Sequence, residues 1–305
     1  MIEVINGGPL STIQDLGRFG VMKTGFTQSG VMDSHSAKLA NTLCGNSLNA
    51  PVIEMTMFGV TVKFKEERIF AVTGADMGAK LNGEPIKRNK AYQAKTDDTL
   101  SLGAAVNGMR GYLAVAGGFK ADSFMGSCST NLKIGVGGYQ GRKLRAGDKL
   151  ECGEAKIFSV NHREVPENRY SNSVSARVVL GPQDDMFTPT DIELFSKQHY
   201  TVTKDMDRMG IRLCGIALKG KDGMDIISDG IVFGSIQITR SGQPIILMAD
   251  HQTTGGYAKI ATVISVDLPL LAQLRPFDIL HFDVITAEKS EKLALKEKKY
   301  FENLR

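Results

Sequence analysis

The chain has 305 residues, 42% hydrophobic and 23% charged, with 37 lysines and arginines against 33 acids. This balance excludes a disordered or collagen-like chain, and a net charge of +4, much of it in the mixed-sign tail at 288–299, excludes a nucleic-acid footprint. The opening residues lack a basic-then-apolar leader, no apolar run approaches the about 20 residues that span a bilayer, and the four cysteines have no metal-ligand spacing, so a cytoplasmic protein without disulfides or zinc is expected.

Glycine, at 33 residues, points to many turns and a β-rich fold. Residues 1–50 stand outside the repeat described below and are read as a segment that packs across onto a second domain. Within them, residues 32–44 place Ala37, Ala40 and Cys44 at helical spacing, with Asp33 as a candidate cap and Gly45 as the stop. Val60, Val62 and Phe64 alternate with Thr61 and Lys63, the period of a half-buried strand. Apolar or β-branched runs at 69–73, 111–116, 177–180, 234–238, 244–249 and 279–284 are bounded by turn residues, and Asn82-Gly83 reads as a tight turn. Helices are expected at 189–198, 268–274 and 289–304. The Pro- and Asn-containing stretch 162–175 is the expected connector between a domain at 1–165 and a domain with a terminal helix at 175–305.

Three patterns occur twice in the same order. Phe70-Ala71-Val72-Thr73 with Met77-Gly78-Ala79-Lys80 is answered by Tyr200-Thr201-Val202-Thr203 with Met209-Gly210-Ile211-Arg212. Gly137-Gly138-Tyr139 is answered by Gly255-Gly256-Tyr257, and Leu144-Arg145-Ala146-Gly147-Asp148-Lys149-Leu150 by Leu274-Arg275-Pro276-Phe277-Asp278-Ile279-Leu280. Together they argue for two copies of one β-rich unit, with barrels or sandwiches as the architecture.

Several segments resemble a known family along almost the whole chain: Thr12-Ile13-Gln14-Asp15-Leu16-Gly17-Arg18, Ser29-Gly30-Val31-Met32-Asp33, Gly181-Pro182-Gln183-Asp184, Asp207-Arg208-Met209-Gly210, Ser228-Asp229-Gly230, Gly234-Ser235-Ile236-Gln237 and Gln252-Thr253-Thr254-Gly255-Gly256-Tyr257. They are similar to the family of 5-oxoprolinase C subunits, Kip-type antagonists of a kinase inhibitor, and biotin-dependent carboxyltransferase domains. The resemblance implies a mainly β fold of two cyclophilin-like β-barrels related by duplication, acting with partner subunits of A and B type. It implies ATP-dependent opening of 5-oxoproline to glutamate, with the ATP site shared with or carried by a partner. The alternatives it implies are carboxyl transfer to a urea-like amide, with biotin supplied by another chain, and a non-catalytic antagonist role. Three positions depart from the family pattern: Phe277 replaces a turn glycine, Arg240 adds a charge near the Gln237 strand, and His251 stands where Arg is frequent.

The densest polar cluster is Asp250-His251-Gln252-Thr253-Thr254-Gly255-Gly256-Tyr257, directly after an apolar strand. A carboxylate, an imidazole, an amide and two hydroxyls suit a small amide or carboxylate ligand, and the glycines admit close backbone approach; the plainer reading is a turn at a barrel rim. Asp250, Gln252 and Arg208 are the expected catalytic residues, and His251, Thr253, Thr254, Gly255, Gly256 and Tyr257 the expected substrate contacts. Arg208 equally suits a structural ion pair. Gln237, read as a strand amide facing a barrel interior, needs a partner there, either a ligand or its own fold. Asp15 and Arg18 serve as a carboxylate-binding pair or as an internal ion pair that orders their loop. No metal site is expected. The chain has no Walker loop, no complete GxGxxG and no GxSxG elbow, so nucleotide or biotin chemistry is expected to arrive on partners.

Overall fold

The computed structural model describes residues 1–155, 160, 163–167, 169–221 and 223–304. The chain forms two compact units: one of Met1–Arg18 and Ser29–Tyr170 with the end of the last helix from Phe301, the other of Phe19–Gln28 and Ser171–Tyr300. Of the connector read at 162–175, residues 162 and 168 lie outside the described residues. Lys90 and Glu164 form a β-bridge, and Val165 N–H donates to Asn89 O at 2.8 Å.

The first unit contains β1 (Ile2–Asn6), β2 (Ser11–Gln14), α1 (Ser34–Leu43), β3 (Val52–Thr56), β4 (Thr61–Phe64), β5 (Arg68–Asp76), β6 (Lys80–Leu81), β7 (Glu84–Pro85), β8 (Ala91–Ala94), β9 (Thr99–Ser101), β10 (Asn107–Val115) and β11 (Lys149–Leu150). The barrel expected here takes the form of two sheets around one core, ordered β11-β1-β4-β9-β6-β7 and β2-β3-β10-β5-β8. Alternation along the strands sorts the side chains. Phe70, Val72, Leu113 and Val115 join Val4, Val62 and Phe64 in the core between the sheets. Ile69, Ala71, Tyr112 and Ala114 point the other way, onto Ala37, Leu39, Ala40 and Leu43 of α1. Asp33 caps α1 by accepting from Ser36 N at 2.8 Å, as its position before the helix suggests.

The second unit contains β12 (Ser173–Leu180), α2 (Pro189–Lys197), β13 (Tyr200–Met206), β14 (Gly210–Cys214), β15 (Asp225–Gly230), β16 (Ser235–Ile238), β17 (Pro244–Leu247), β18 (Thr254–Tyr257), β19 (Lys259–Val263), α3 (Leu268–Leu271), β20 (Ile279–Val284) and α4 (Ala287–Leu304), whose last turn belongs to the first unit. Seven strands close a barrel in the order β12-β19-β16-β17-β14-β13-β20, and the closing pair, β12 with β20, is parallel. Thr188 and Asp191 form a capping box that starts α2, and Phe195 from this helix stacks on Phe282 at 4.7 Å. β15 and β18 form a separate two-stranded ribbon.

The duplication is clearest in one turn. Arg145 N and Arg275 N each donate to an Asp side chain, Asp148 or Asp278, at 2.8 Å. Gly147 N reaches Val4 O and Phe277 N reaches Val202 O, both at 2.8 Å. The strand that follows pairs antiparallel with β1 in the first unit and β13 in the second. These pairings make β1 the counterpart of β13, and β4 that of β14 (Val4 opposite Val62, Val202 opposite Leu213). The sequence match between 70–73 and 200–203 therefore has the wrong register, because β13 plays the part of β1 and not of β5. The Gly-Gly-Tyr match also differs in backbone: Gly137 and Gly138 have φ of 72° and 61°, whereas Gly255 and Gly256 lie in β18.

Candidate functional site

The barrel's strand register sets the site. Ile211, Ile246, Ile236 and Ala261 face one another across β14, β17, β16 and β19 and are fully buried, so this row fills the barrel. The adjacent row, Arg212, Ile245, Gln237 and Lys259, must point to the outer face. Gln237 thus faces out of the barrel and not into it, contrary to the expectation from its apolar strand. It is nevertheless 2% exposed because the segment 250–257 folds over it.

Between that outer face and the covering segment lies a pocket of about 510 Å³. Gln237, Ile245 and Leu247 line it from the barrel's outer face, together with Met206, Met209, Gly210, Gln252 and Tyr257. Lys204, Asp205, Asp207 and Arg212 line its rim. The Gln237 amide is oriented by its Nε2, which donates to Tyr257 O at 3.2 Å, while Oε1 accepts no hydrogen bond among the described residues. Gly255 lies close above it: a Cβ there would come within 2.7 Å of Gln237 Nε2 and 2.6 Å of Ile231 Cδ1, so a side chain at this position would displace one or both.

Arg208 and Asp250 lie beside the pocket and not in its lining. Arg208 Nε meets Asp250 Oδ2 at 2.7 Å and a terminal nitrogen meets Oδ1 at 3.1 Å, with the side chains 9% and 16% exposed. Asp250 N–H also donates to Arg208 O at 2.8 Å and Met248 N–H to Met209 O at 2.9 Å. The structural ion pair, one of the two readings open to Arg208, is what the geometry shows; it joins two neighbouring loops that both supply residues to the pocket lining. His251 is fully buried, its Nδ1 donating to Gln252 O at 2.6 Å, while Nε2 has no partner among the described residues. Burial holds its imidazole below the usual value. Thr253, Thr254, Gly255 and Gly256 are not among the residues that line the pocket; Thr253 O accepts from Ile231 N, and Thr254 and Gly255 pair with Gly230 and Asp229.

Asp15 and Arg18, in the first unit, do not pair with each other in the hydrogen bonds observed. Asp15 accepts from Gly17 N, Ser127 Oγ, Cys128 N and Ser129 Oγ at 2.5–2.9 Å. Arg18 donates to Phe124 O at 3.1 Å and to Ser129 O, with its guanidinium over the Phe124 ring. Both are at most 4% exposed and fasten the loop 124–130. The Ser29–Asp33 motif has a similar part. Met32 N donates to Glu54 Oε2 at 2.7 Å, and Asp33 N donates to Tyr112 Oη, which itself donates to Glu54 Oε2.

Arg212, Lys204, Met206 and Met209 line the pocket in addition to the residues expected from the sequence. The signal for Arg212 was present: an arginine between Ile211 and Leu213 in an alternating strand belongs on the outer face. Lys259 lies in the same row but does not line the pocket. It is 3% exposed, with Nζ 2.6 Å from Asp229 Oδ2, and Gln183 bridges the pair by accepting from Lys259 N and donating to Asp229. This hydrogen bond from Lys259, foremost, keeps the Asp229 carboxyl below the usual range. Of the three departures, Arg240 pairs with Asp225 at 2.8 Å on the exposed surface, His251 is turned inward, and Phe277 takes a left-handed φ of 74°.

The family described as carboxyltransferase domain, subdomain A and B, matches residues 24–284. The chain belongs to this carboxyltransferase family. It is 37% identical to the C subunit of 5-oxoprolinase from Escherichia coli over 304 residues, covering all of this chain and 97% of that one. It is 36% identical to the protein of the same name from Haemophilus influenzae, covering all of this chain and 98% of that one. Urea amidolyase of Saccharomyces cerevisiae is 31% identical across 96% of this chain, which corresponds to 17% of that much longer protein. Among solved structures, the urea carboxylase of Kluyveromyces lactis superposes with a TM-score of 0.92 at 28% identity, over all of this chain and 29% of that one. The family's domain thus exists both as a separate chain and as a segment of a longer one.

Proposed function

We propose that this chain is the C subunit of an ATP-dependent 5-oxoprolinase complex, acting with A- and B-type partners to open 5-oxoproline to glutamate in the cytoplasm. The observation that carries the reading is the end-to-end correspondence with the 5-oxoprolinase C subunit of Escherichia coli. The pocket chemistry agrees with it. Gln237 presents a free amide oxygen suited to a ring N–H, Ile245 and Leu247 offer an apolar floor, and cations stand at the rim.

The pocket does not fit a triphosphate. Asp205 and Asp207 bring two carboxylates to its rim, and its described lining contains neither a helix N-terminus nor a glycine-rich cradle. ATP therefore belongs on a partner or on a surface completed by one. No described helix is long and apolar enough to cross a membrane.

A second reading, transfer of CO2 from carboxybiotin on another chain to a urea-like amide, is favoured by the close superposition on urea carboxylase. The same free amide oxygen, with Gln252 opposite, fits a ureido group. The deciding experiment reconstitutes the chain with its A- and B-type partners and measures ATP-dependent release of glutamate from 5-oxoproline. Carboxylation of urea by the chain with a biotin carboxylase and carrier would move the assignment to the second reading. A tight complex without either turnover would leave the Kip-type binding role.

A further inference from the structure

We infer that Arg212 is the specificity-determining residue of the pocket, reading the carboxylate of a small cyclic amide whose ring amide meets Gln237. This rests on the 5-oxoprolinase reading and names the residue that would separate an acidic lactam from a neutral one.

Arg212 and Gln237 flank Ile245 in one cross-strand row, on β14, β17 and β16, and all three line the same pocket. Neighbouring strands are about 4.8 Å apart, so the row sets an amide and a guanidinium on either side of an apolar residue at the scale of one small ring. Gln237 uses its N–H on Tyr257 O and keeps an acceptor for a ring N–H. Arg212 is exposed and has no hydrogen-bond or ionic partner among the described residues. Other arginines of this unit are engaged: Arg208 with Asp250, Arg177 with Asp267, Arg240 with Asp225.

The competing cations are less suited. Lys259 shares the row, yet its charge is balanced by Asp229 and it does not line the pocket. Lys204 is on the rim as a point charge on β13, outside the Arg212–Gln237 row, and lacks the planar fork that holds a carboxylate at two points. Of the rim acids, Asp207 holds Met209 N and Gly210 N with Oδ1 alone and keeps Oδ2, while the Asp205 side chain has no partner among the described residues, so both can compete for Arg212 and Asp205 is the less engaged.

The test uses the reconstituted complex, with 5-oxoproline as substrate and 2-pyrrolidinone, the same ring without the carboxylate, as inhibitor. Arg212→Gln is expected to raise KM on the order of ten- to a hundredfold, the worth of one charge-assisted contact, with kcat nearly unchanged. Arg212→Lys should recover part of the loss, and Asp205→Asn should lower KM. Inhibition by 2-pyrrolidinone should be the same in wild type and Arg212→Gln, a readout that a merely structural role would not preserve. An unchanged KM, or parallel loss of pyrrolidinone inhibition, overturns the inference, as does a Lys204→Gln variant that alone reproduces the KM effect. Binding of both rings to the full chain is followed in parallel by ligand-observed NMR. Absence of turnover by the wild-type complex then counts against the functional reading. Binding of 5-oxoproline to the chain that is not weakened by Arg212→Gln, or absence of binding, counts against the role of Arg212.

Discussion

Arg208 and Asp250 share two hydrogen bonds across the junction of two loops that both contribute to the pocket lining, with both side chains largely buried. Removing the Arg208 guanidinium takes from the Asp250 carboxylate both of the hydrogen bonds that it receives from this arginine, in a poorly solvated place. Arg208→Met should cost about 3–5 kcal/mol in urea unfolding, and the double change Arg208→Met, Asp250→Leu should recover much of it. A single variant with wild-type stability would contradict this account of the pair.

Gly255 lies against the side-chain amide of Gln237. Gly255→Ala should displace Gln237 and lower kcat/KM of the reconstituted complex by roughly the same factor as Gln237→Leu, on the order of tenfold or more, while the complex still assembles. If Gly255→Ala is fully active, the amide is not the contact assigned to it.

The turn pair makes a prediction with opposite signs in the two units. Gly147 has a φ of 89°, and a Cβ there would meet nothing within 4 Å, so Gly147→Ala tests backbone conformation alone; it should cost about 1 kcal/mol. Phe277 adopts a φ of 74° at the equivalent position with its side chain 73% exposed. Phe277→Gly should raise thermal stability, by up to about 1 kcal/mol, since it removes strain without removing a buried side chain.

His251 gives the second unit a dependence on pH. Its folded pKa lies below the unfolded value of about 6.5, so the unfolded chain binds the proton more readily and stability rises with pH. The contribution is fully present above about pH 6.5 and is lost as pH falls toward the folded pKa. Denaturant midpoints measured from pH 7.5 to 5 should fall, and His251→Leu should flatten that part of the curve. An equal slope in the variant would place the titration elsewhere.

Asp15 predicts stability and not catalysis. Asp15→Ala leaves four donors of the first unit unanswered and should cost at least about 3 kcal/mol. Equilibrium unfolding followed by a probe in the first unit checks this.

What the sequence revealed was what repeats locally. The period-two pattern at 60–64, the apolar run at 234–238 and the cap at Asp33 follow from a few adjacent residues, and the elements stand where those signals lie. The recurrent Leu-Arg-x-x-Asp turn also marks a true equivalence. The site was legible only by region. The segment 250–257 and Gln237 do meet, but which of its side chains face the pocket depends on partners far away. Asp250 is turned aside by an arginine 42 positions earlier, and Lys259 is balanced by an aspartate 30 positions earlier. An apolar strand suggests an interior position for Gln237, whereas here a covering loop buries the outer face of the barrel as well.

The parallel closure of the barrel has a consequence for how the protein is made. β12 and β20 join across six register positions, yet the paired residues are about a hundred positions apart in the chain, Ser175 and His281 by 106. The second unit cannot close on the ribosome until its final strand has emerged from the exit tunnel, and until then β12 presents an unpaired edge. Synthesis halted before Ile279 should therefore yield an open, chaperone-bound sheet, whereas the described strands of the first unit, the last of them β11 ending at Leu150, are all available well before Ile279 is made.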